Sequence, residues 1–571
     1  MKQNIRPFRG QNSLWSQFLD WNPQLFREIR GKFKTRNLVI AAAISVMVQF
    51  VAVISLLGQL PDSDPERSLY TQYSSYCRGN GLDRLACTKD MLGNWVINWQ
   101  LLWLDLFIIL SIISIFSLLV IGTYMLVADT VQEENQGTLN FIRLTPQSAG
   151  SILLGKILGV PILLFSAILL LLPLHLASGL HAHIPLTLIL GFYAVIAASC
   201  GFFYSLALLW SLVNLGFSSL KPWLGSGLVG VLLLILTRLL FDSYLSLDNP
   251  AGWLFLFNPS LVLSYLIDAT YLPSNHVDFL TVADLSQMLF LGQALWTNAT
   301  IGITAIIFNF CLWTYWCWSI AQRRFLNPDR TLISKSQSYW LTGWFVAIAL
   351  GFTLQSTRQH LLEEYFIFLQ FCLGIWGLGL IAVLSPHRQA LHDWSRYRHQ
   401  LSKEGNQLWK ELVFGENSPS TVAIAINMLI AISYIVPSIV IHLQQNRYHL
   451  LWGFILCGGS IMLCAVIAQF ILTIKTRKRG VLSLITVTSL IIVPPVCLGF
   501  AEVYPETRPL VWLFSFLPTV VTQYATVPTL LIAVLGQWLG ITVIGLQMTR
   551  KLKQAGASET KMLLERNALI S

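Results

Sequence analysis

Charge is what this chain has least of. Asp, Glu, Lys and Arg make up 11% of its 571 residues, against 55% hydrophobic, where a soluble protein carries about 25% charged residues. A globule of that composition could not be solvated, and no polar stretch is long enough for a water-soluble domain of ordinary size. Paired catalytic carboxylates, an HExxH pair and a nucleophile elbow are all missing, which removes the commonest hydrolytic chemistries. Residues 1–36 are polar, basic and aromatic and lack the apolar core and small-residue cleavage site of a signal peptide, so the first apolar run is expected to serve as the anchor. Seven of the nine cysteines (Cys200, Cys311, Cys317, Cys372, Cys457, Cys464 and Cys497) lie in apolar runs, where a thiol behaves as a small hydrophobe. Only Cys77 and Cys87 share a polar loop. With Gly79 and Gly81 between them, they are predicted to form a disulfide in an oxidising compartment.

What is present in abundance is apolar runs near the roughly 20 residues that a helix needs to cross hydrocarbon. Twelve are read: 37–57, 101–128, 152–178, 185–213, 223–242, 299–321, 341–357, 363–384, 421–443, 450–474, 480–500 and 527–548. The expected fold class is therefore all-α, a polytopic membrane protein. An even number of crossings puts both ends on one face, and the basic residues decide which. Of 37 Lys and Arg, 29 fall in segments on the side of the termini, seven on the other, and Arg238 inside a span. Both termini are expected in the cytoplasm, with the chain in the plasma (inner) membrane. The net charge of +10 thus marks a membrane face and does not imply nucleic acid.

Between the second and third runs lies DTVQEENQGTLNFIRLTPQSAGSILLGK, residues 129–156. It is too acidic and amidic for lipid. Its pattern predicts short helices in water, with carboxylates over Asp129–Asn135, punctuation at Gly137, and Thr145-Pro146 as an N-cap followed by a first-turn proline. Gly150 to Lys156 imitates a phosphate-binding loop, but Ile157 stands where the magnesium-binding hydroxyl belongs and no strand precedes it. It is rejected as a nucleotide site.

The residues Glu134, Gly137, Thr138, Leu139, then Thr145, Pro146, then Gly155, Lys156 resemble the cytoplasmic coupling segment of type 2 ABC transporter permeases. The family often carries an acid where this chain has Asn140. The resemblance implies a permease subunit of an ATP-driven exporter that works by alternating access. It implies no cofactor of its own, because ATP is bound by separate ATPase subunits, and it implies contact with membrane lipid and a homodimer or second permease as partner. Glu133, Glu134 and the Thr138–Pro146 stretch would take the push of the ATPase, with Leu139 and Phe141 as apolar anchors. Residues 12–33 read as an interfacial amphipathic helix with a fresh start at Asn22-Pro23, which in that family grips the ATPase.

A second half is also legible. WLFLFNPSLVLSY at Trp253–Tyr265 aligns without gaps to WLFSFLPTVVTQY at Trp512–Tyr524, each before the last span of a six-span half. The expected domains are a connecting helix in 1–36, a first permease half in 37–330 and a degenerate second half in 331–571. In that scheme residues 385–419 stand where the first half has its coupling segment. The 243–298 segment has no Lys or Arg, carries Asp248, Asp268, Asp278 and Asp284, and reads as short re-entrant helices broken at Asn258-Pro259, with Pro518 as the second-half counterpart. The 58–100 loop is acidic at Asp62, Asp64 and Glu66. Other polar candidates are Asp105, an Arg238–Asp242 pair, and His175, His181 and His183, which lack a nearby carboxylate or thiol for a metal site. Asn298-Ala-Thr300 matches a glycosylation sequon by pattern only. The rival readings are a lipid- or glycan-modifying membrane enzyme and a non-transporting scaffold coupled to an ATPase.

Overall fold

Backbone polar groups placed in hydrocarbon have to be satisfied within their own segment, so long apolar runs become helices. The computed structural model describes residues 21–61, 74, 76–77, 87–88, 90–91, 95–213, 218–241, 247–270, 284–356, 358–400, 405–476, 478–515 and 518–568. Among the described residues the chain is helical almost throughout, with eleven helices long and apolar enough to span a membrane. The protein is an all-α multi-pass membrane protein. Residues 12–20, Asp62, Asp64, Glu66, Asp242 and Asp278 lie outside the described residues.

Contacts divide the chain into two units, the first mainly Met1–Leu326 and the second mainly Asn327–Ser571; Asp248–Trp253 and Leu289–Ala294 also belong to the second. The first unit opens with α1 (Pro23–Lys32) and α2 (Thr35–Leu57), followed by the long α3 (Trp99–Asn135). Then come the short α4 (Thr138–Arg143) and α5 (Ala149–Gly159) and the spans α6 (Ile162–His181), α7 (Leu186–Leu212) and α8 (Lys221–Leu240). Two small helices, α9 (Gly252–Phe255) and α10 (Leu261–Asp268), precede α11 (Ala299–Leu326). A two-residue hairpin, β1 (Leu289–Phe290) with β2 (Gln293–Ala294), docks in the second unit through Leu291 N donating to Gly351 O at 2.8 Å.

The second unit runs α12 (Lys335–Thr353), α13 (Gln359–Leu384), α14 (Arg388–Gln400), α15 (Gly405–Phe414), α16 (Thr421–His442), α17 (Arg447–Leu472) and α18 (Arg479–Phe500). Small helices α19 (Pro509–Trp512) and α20 (Thr519–Thr522) precede α21 (Val527–Ala568). The pairing scheme of the first unit recurs: its first long helix packs on its third, its second on its fourth and its fourth on its sixth, as α2·α6, α3·α7 and α7·α11, and then as α12·α16, α13·α17 and α17·α21. Both aligned aromatic blocks form a pair of short helices ahead of the last long helix of their unit.

Two expectations are corrected, on 152–178 and on Asp129–Asn135. The run 152–178 is not one helix, because Pro161 has no N–H to donate and its ring crowds the preceding turn; α5 ends at Gly159 and α6 starts at Ile162. Residues 341–353 of the 341–357 run lie in α12, which falls outside the eleven, its start diluted by Lys335, Ser336, Gln337 and Ser338. Asp129–Asn135 is not a separate short helix but the last turns of α3, which runs on until Gly137 adopts φ 73°, a left-handed conformation that suits glycine.

Interhelical polar contacts pin the pairings. Asn427 on α16 donates to Ser338 Oγ at 2.9 Å and accepts from Thr342 Oγ1 at 2.7 Å on α12. Such a bond between membrane helices contributes on average about 0.6 kcal/mol and at most about 1.7. Asn427→Leu, which breaks both, is expected to destabilise the second unit by about 1–3 kcal/mol, read as a fall in thermal midpoint of the purified chain in detergent.

Candidate functional site

Two carboxylates four residues apart on a helix share one face, and Asp129 and Glu133 do so at the end of α3. Between them sits the ammonium of Lys156 from α5, with no solvent exposure. Its Nζ lies 2.6 Å from Asp129 Oδ2 and 2.6 Å from Glu133 Oε2. From α1, Lys32 reaches Glu28 Oε2 at 3.0 Å and Asp129 Oδ1 at 3.8 Å, and Arg27 pairs with Glu28 at 3.1 Å and with Glu133. The three carboxylates Glu28, Asp129 and Glu133 thus face the three cations Arg27, Lys32 and Lys156. Burial would lower the Arg27 pKa, but the hydrogen bonds and charges of Glu28 and Glu133 outweigh it and hold the guanidinium above its ordinary value. Beside the cluster, Lys221 lies 3.8 Å from Glu134. Glu28, Asp129 and Glu133 are the only group of three or more metal-type ligands among the described residues, and each already has a cationic partner, so the donor set does not call for a metal.

The cluster holds because α1 comes very close to α5. Asn22 caps α1 by accepting from Leu25 N at 3.1 Å, while its amide donates across to Ser151 O at 2.8 Å; Pro23 follows at the first helical position. A Cβ on Gly155 would sit 2.8 Å from Asn22 Oδ1 and from Leu25 N, and one on Gly159 would sit 2.5 Å from Glu28 Cβ. Gly155 and Gly159 form a small-xxx-small groove of the kind that lets membrane helices approach. Gly159, Arg27, Glu28 and Lys32 were missed as site residues by sequence reasoning, and Asp129 was read only as one carboxylate of the segment. The GxxxG spacing could have revealed the first; the ion pairs span too much chain to be read from local pattern.

The rest of the expected coupling segment forms an elbow. Thr138 Oγ1 donates to Glu133 O at 3.1 Å. Leu139 and Ile142 turn inward, into a core shared with Leu126, Val131, Ile152, Leu153, Leu208 and Phe325. Leu139 is 1% exposed and so is no outward anchor, whereas Phe141 and Leu144 are 74% and 83% exposed. Arg143 lies over the Phe325 ring at 5.5 Å and donates to Asn140 Oδ1 at 2.9 Å; burial lowers its pKa against the opposing charge of Glu134. Thr145-Pro146 does not start α5. Thr145 Oγ1 donates back to Ile142 O at 2.7 Å, Pro146 lies in a bend, and the N-cap is Ser148, whose Oγ accepts from Ser151 N at 3.2 Å. The Gly150–Lys156 imitation of a phosphate loop is helical along its length.

The other candidates resolve into structural roles. Cys77 and Cys87 are joined in a disulfide, and the neighbouring Tyr76 donates to Asp105 Oδ2 at 2.7 Å, burial and that carboxylate pushing the phenol pKa up. His175 bonds Ser111 and Tyr193 at 2.7 and 2.8 Å, and His181 stacks on Trp103; neither they nor His183 join a metal-type cluster among the described residues. Asn298 Oδ1 accepts from Thr300 N at 3.1 Å and Thr300 Oγ1 at 3.0 Å, closing the turn into α11. Asn258 is fully buried and donates to Thr237 Oγ1 at 3.0 Å, fixing the break before Pro259 and α10; Pro518 stands at the N-cap of α20.

No family model, curated protein or solved structure matches this chain.

Removing one partner from a buried ion pair costs about 3–5 kcal/mol, since the charge left behind has no solvent. Lys156→Met is expected to lower the thermal midpoint of the purified chain steeply, and adding Glu133→Gln to recover part of the loss. Gly155→Leu should push α1 off α5, read as loss of a cysteine cross-link engineered between positions 22 and 151.

Proposed function

We propose that the chain is the membrane subunit of an ATP-driven ABC exporter, and that a separate ATPase docks on the elbow at residues 136–147. One observation carries this reading: two large apolar side chains, Phe141 and Leu144, stand out of a polar connection that is fixed from behind by the Leu139 and Ile142 core and by the Lys156 ion cluster. Exposed apolar groups that cluster within a polar surround mark interaction surfaces. In this reading the chain crosses the plasma membrane twelve times, with α12 as the seventh crossing, both termini are cytoplasmic, and the chain holds no ATP site of its own. The recurrence of the α2·α6 pairing as α12·α16 supports counting α12, and the basic-residue asymmetry supports the orientation. The two repeated halves would rock against one another as the ATPase closes. A lipid- or glycan-modifying enzyme would instead need His, Asp or Arg groups free for chemistry at one depth.

Burying an apolar side chain such as Phe141 contributes roughly 1.5–3 kcal/mol, against about 0–1 for an exposed ion pair. Phe141→Asp with Leu144→Asp is expected to release the ATPase in co-purification while leaving the thermal midpoint of the chain unchanged. Leu139→Asp should lower the midpoint itself. If the Phe141/Leu144 double variant kept a bound ATPase and full transport, the elbow would be an ordinary loop. Reporter fusions at Asn275 should score outside and at Ser336 inside; reversal at Ser336 would overturn the arrangement of the whole second half.

A further inference from the structure

In the second unit two cavities share a rim. One, of about 540 Å³, is polar and bounded by Asp329, Arg330, His387, Asp393, Glu416 and Arg479 among others. The other, of about 520 Å³, is mainly apolar and runs between α13, α17 and α18 past Leu378, Ile381, Leu472, Leu484, Val487 and Ile491. Pro386, His387 and Arg479 line both. A polar chamber that opens into an apolar groove suits an amphiphile, since each part of such a ligand leaves one environment for a similar one. The only buried residue on α18 is Ser483, so the groove lies along a helix otherwise turned towards hydrocarbon.

The charges narrow the headgroup. Within the chamber Glu416 lies 3.6 Å from Arg330, and Asp393 3.0 Å from Arg396. The half-buried Arg479 and the exposed Asp329 are different: neither has an ion pair or hydrogen-bonding side-chain partner among the described residues. One free cation and one free carboxylate in the same chamber complement a headgroup that carries both an anion and an ammonium. We infer that the second unit binds a glycerophospholipid with an ethanolamine headgroup, its phosphate at Arg479, its ammonium at Asp329 and one acyl chain in the groove beside Ile381 and Val487. The site involves no group of the Lys156 cluster and stands independently of the exporter reading.

The test uses the full chain in non-ionic detergent, titrated with phosphatidylethanolamine or phosphatidylglycerol carrying a fluorescent acyl chain. Phosphatidylethanolamine should bind more tightly. Arg479→Ala is expected to weaken it at least tenfold, with Arg479→Lys retaining most of the affinity. Asp329→Asn should erase the preference over phosphatidylglycerol, and Ile381→Trp, which fills the groove, should weaken both lipids. Each variant is compared with the parent by thermal midpoint, so a folding defect is read separately. Inorganic phosphate in millimolar excess should not displace the lipid; full displacement would make this a free-phosphate site and overturn the proposal. Equal binding of the two lipids, or unchanged affinity in Arg479→Ala, would overturn it as well.

Discussion

One end of the first unit depends on one ammonium group out of reach of water. Moving a lysine from solvent into a protein interior costs several kcal/mol even after relaxation, and the cost is met only when counter-charges sit in good geometry. Lys156 meets two carboxylates at 2.6 Å, and this demand explains its surroundings. Asp129 and Glu133 have to lie on one face of α3, so the helix has to continue past the point where the sequence turns polar. Two carboxylates against one ammonium would leave one excess negative charge, and α1 balances it with Arg27 and Lys32 against its own Glu28. Those side chains reach only if α1 lies on α5, which is what the bare faces of Gly155 and Gly159 permit.

The second unit meets a similar demand differently. Lys335, at the start of α12, is also buried, yet its ammonium donates to Leu412 O at 2.7 Å, Ser418 Oγ at 2.6 Å and Pro419 O at 3.1 Å. Leu412 lies in the last turn of α15, where carbonyls without an intrahelical partner carry the negative end of the helix dipole. Three oxygen acceptors satisfy three N–H donors without a carboxylate. The helix pairings repeat between the units while the connections differ: the first unit has a six-residue helix with outward apolar groups, the second two longer helices, with α14 fastened to α21 by Ser395 Oγ donating to Leu552 O at 2.5 Å.

Much of the scaffold was legible because hydrocarbon imposes a strong, local rule. Apolar runs gave the long helices, the repeated aromatic blocks gave the paired short helices, Asn22-Pro23 gave the start of α1, and two cysteines in one polar loop gave their own pairing. What escaped depends on contacts distant in sequence or on helices too short for a period. Arg27 and Glu133 are 106 positions apart. A six-residue helix makes under two turns, so nothing in TLNFIR says that Leu139 faces in and Phe141 out. Thr145-Pro146 has the form of a helix start, but Ser148 competes for the same role and wins. Pro161 was hidden inside an apolar run, where hydropathy speaks louder than the missing N–H.

The elbow is small, but its mounting determines how it responds to force. Leu139 and Ile142 are held among side chains from α3, α5, α7 and α11, and interiors packed at crystal-like density transmit displacement instead of absorbing it. A load on Phe141 or Leu144 therefore reaches α3 and α5 together, and these two helices cannot slide past one another without separating Lys156 from Asp129 or Glu133. Because Arg27 and Lys32 touch the same carboxylates, α1 has to follow. Sliding would strand a buried charge, whereas tilting α1, α3 and α5 as one body keeps every ion pair intact, so rigid-body tilt is the motion of lower free energy for this end of the unit.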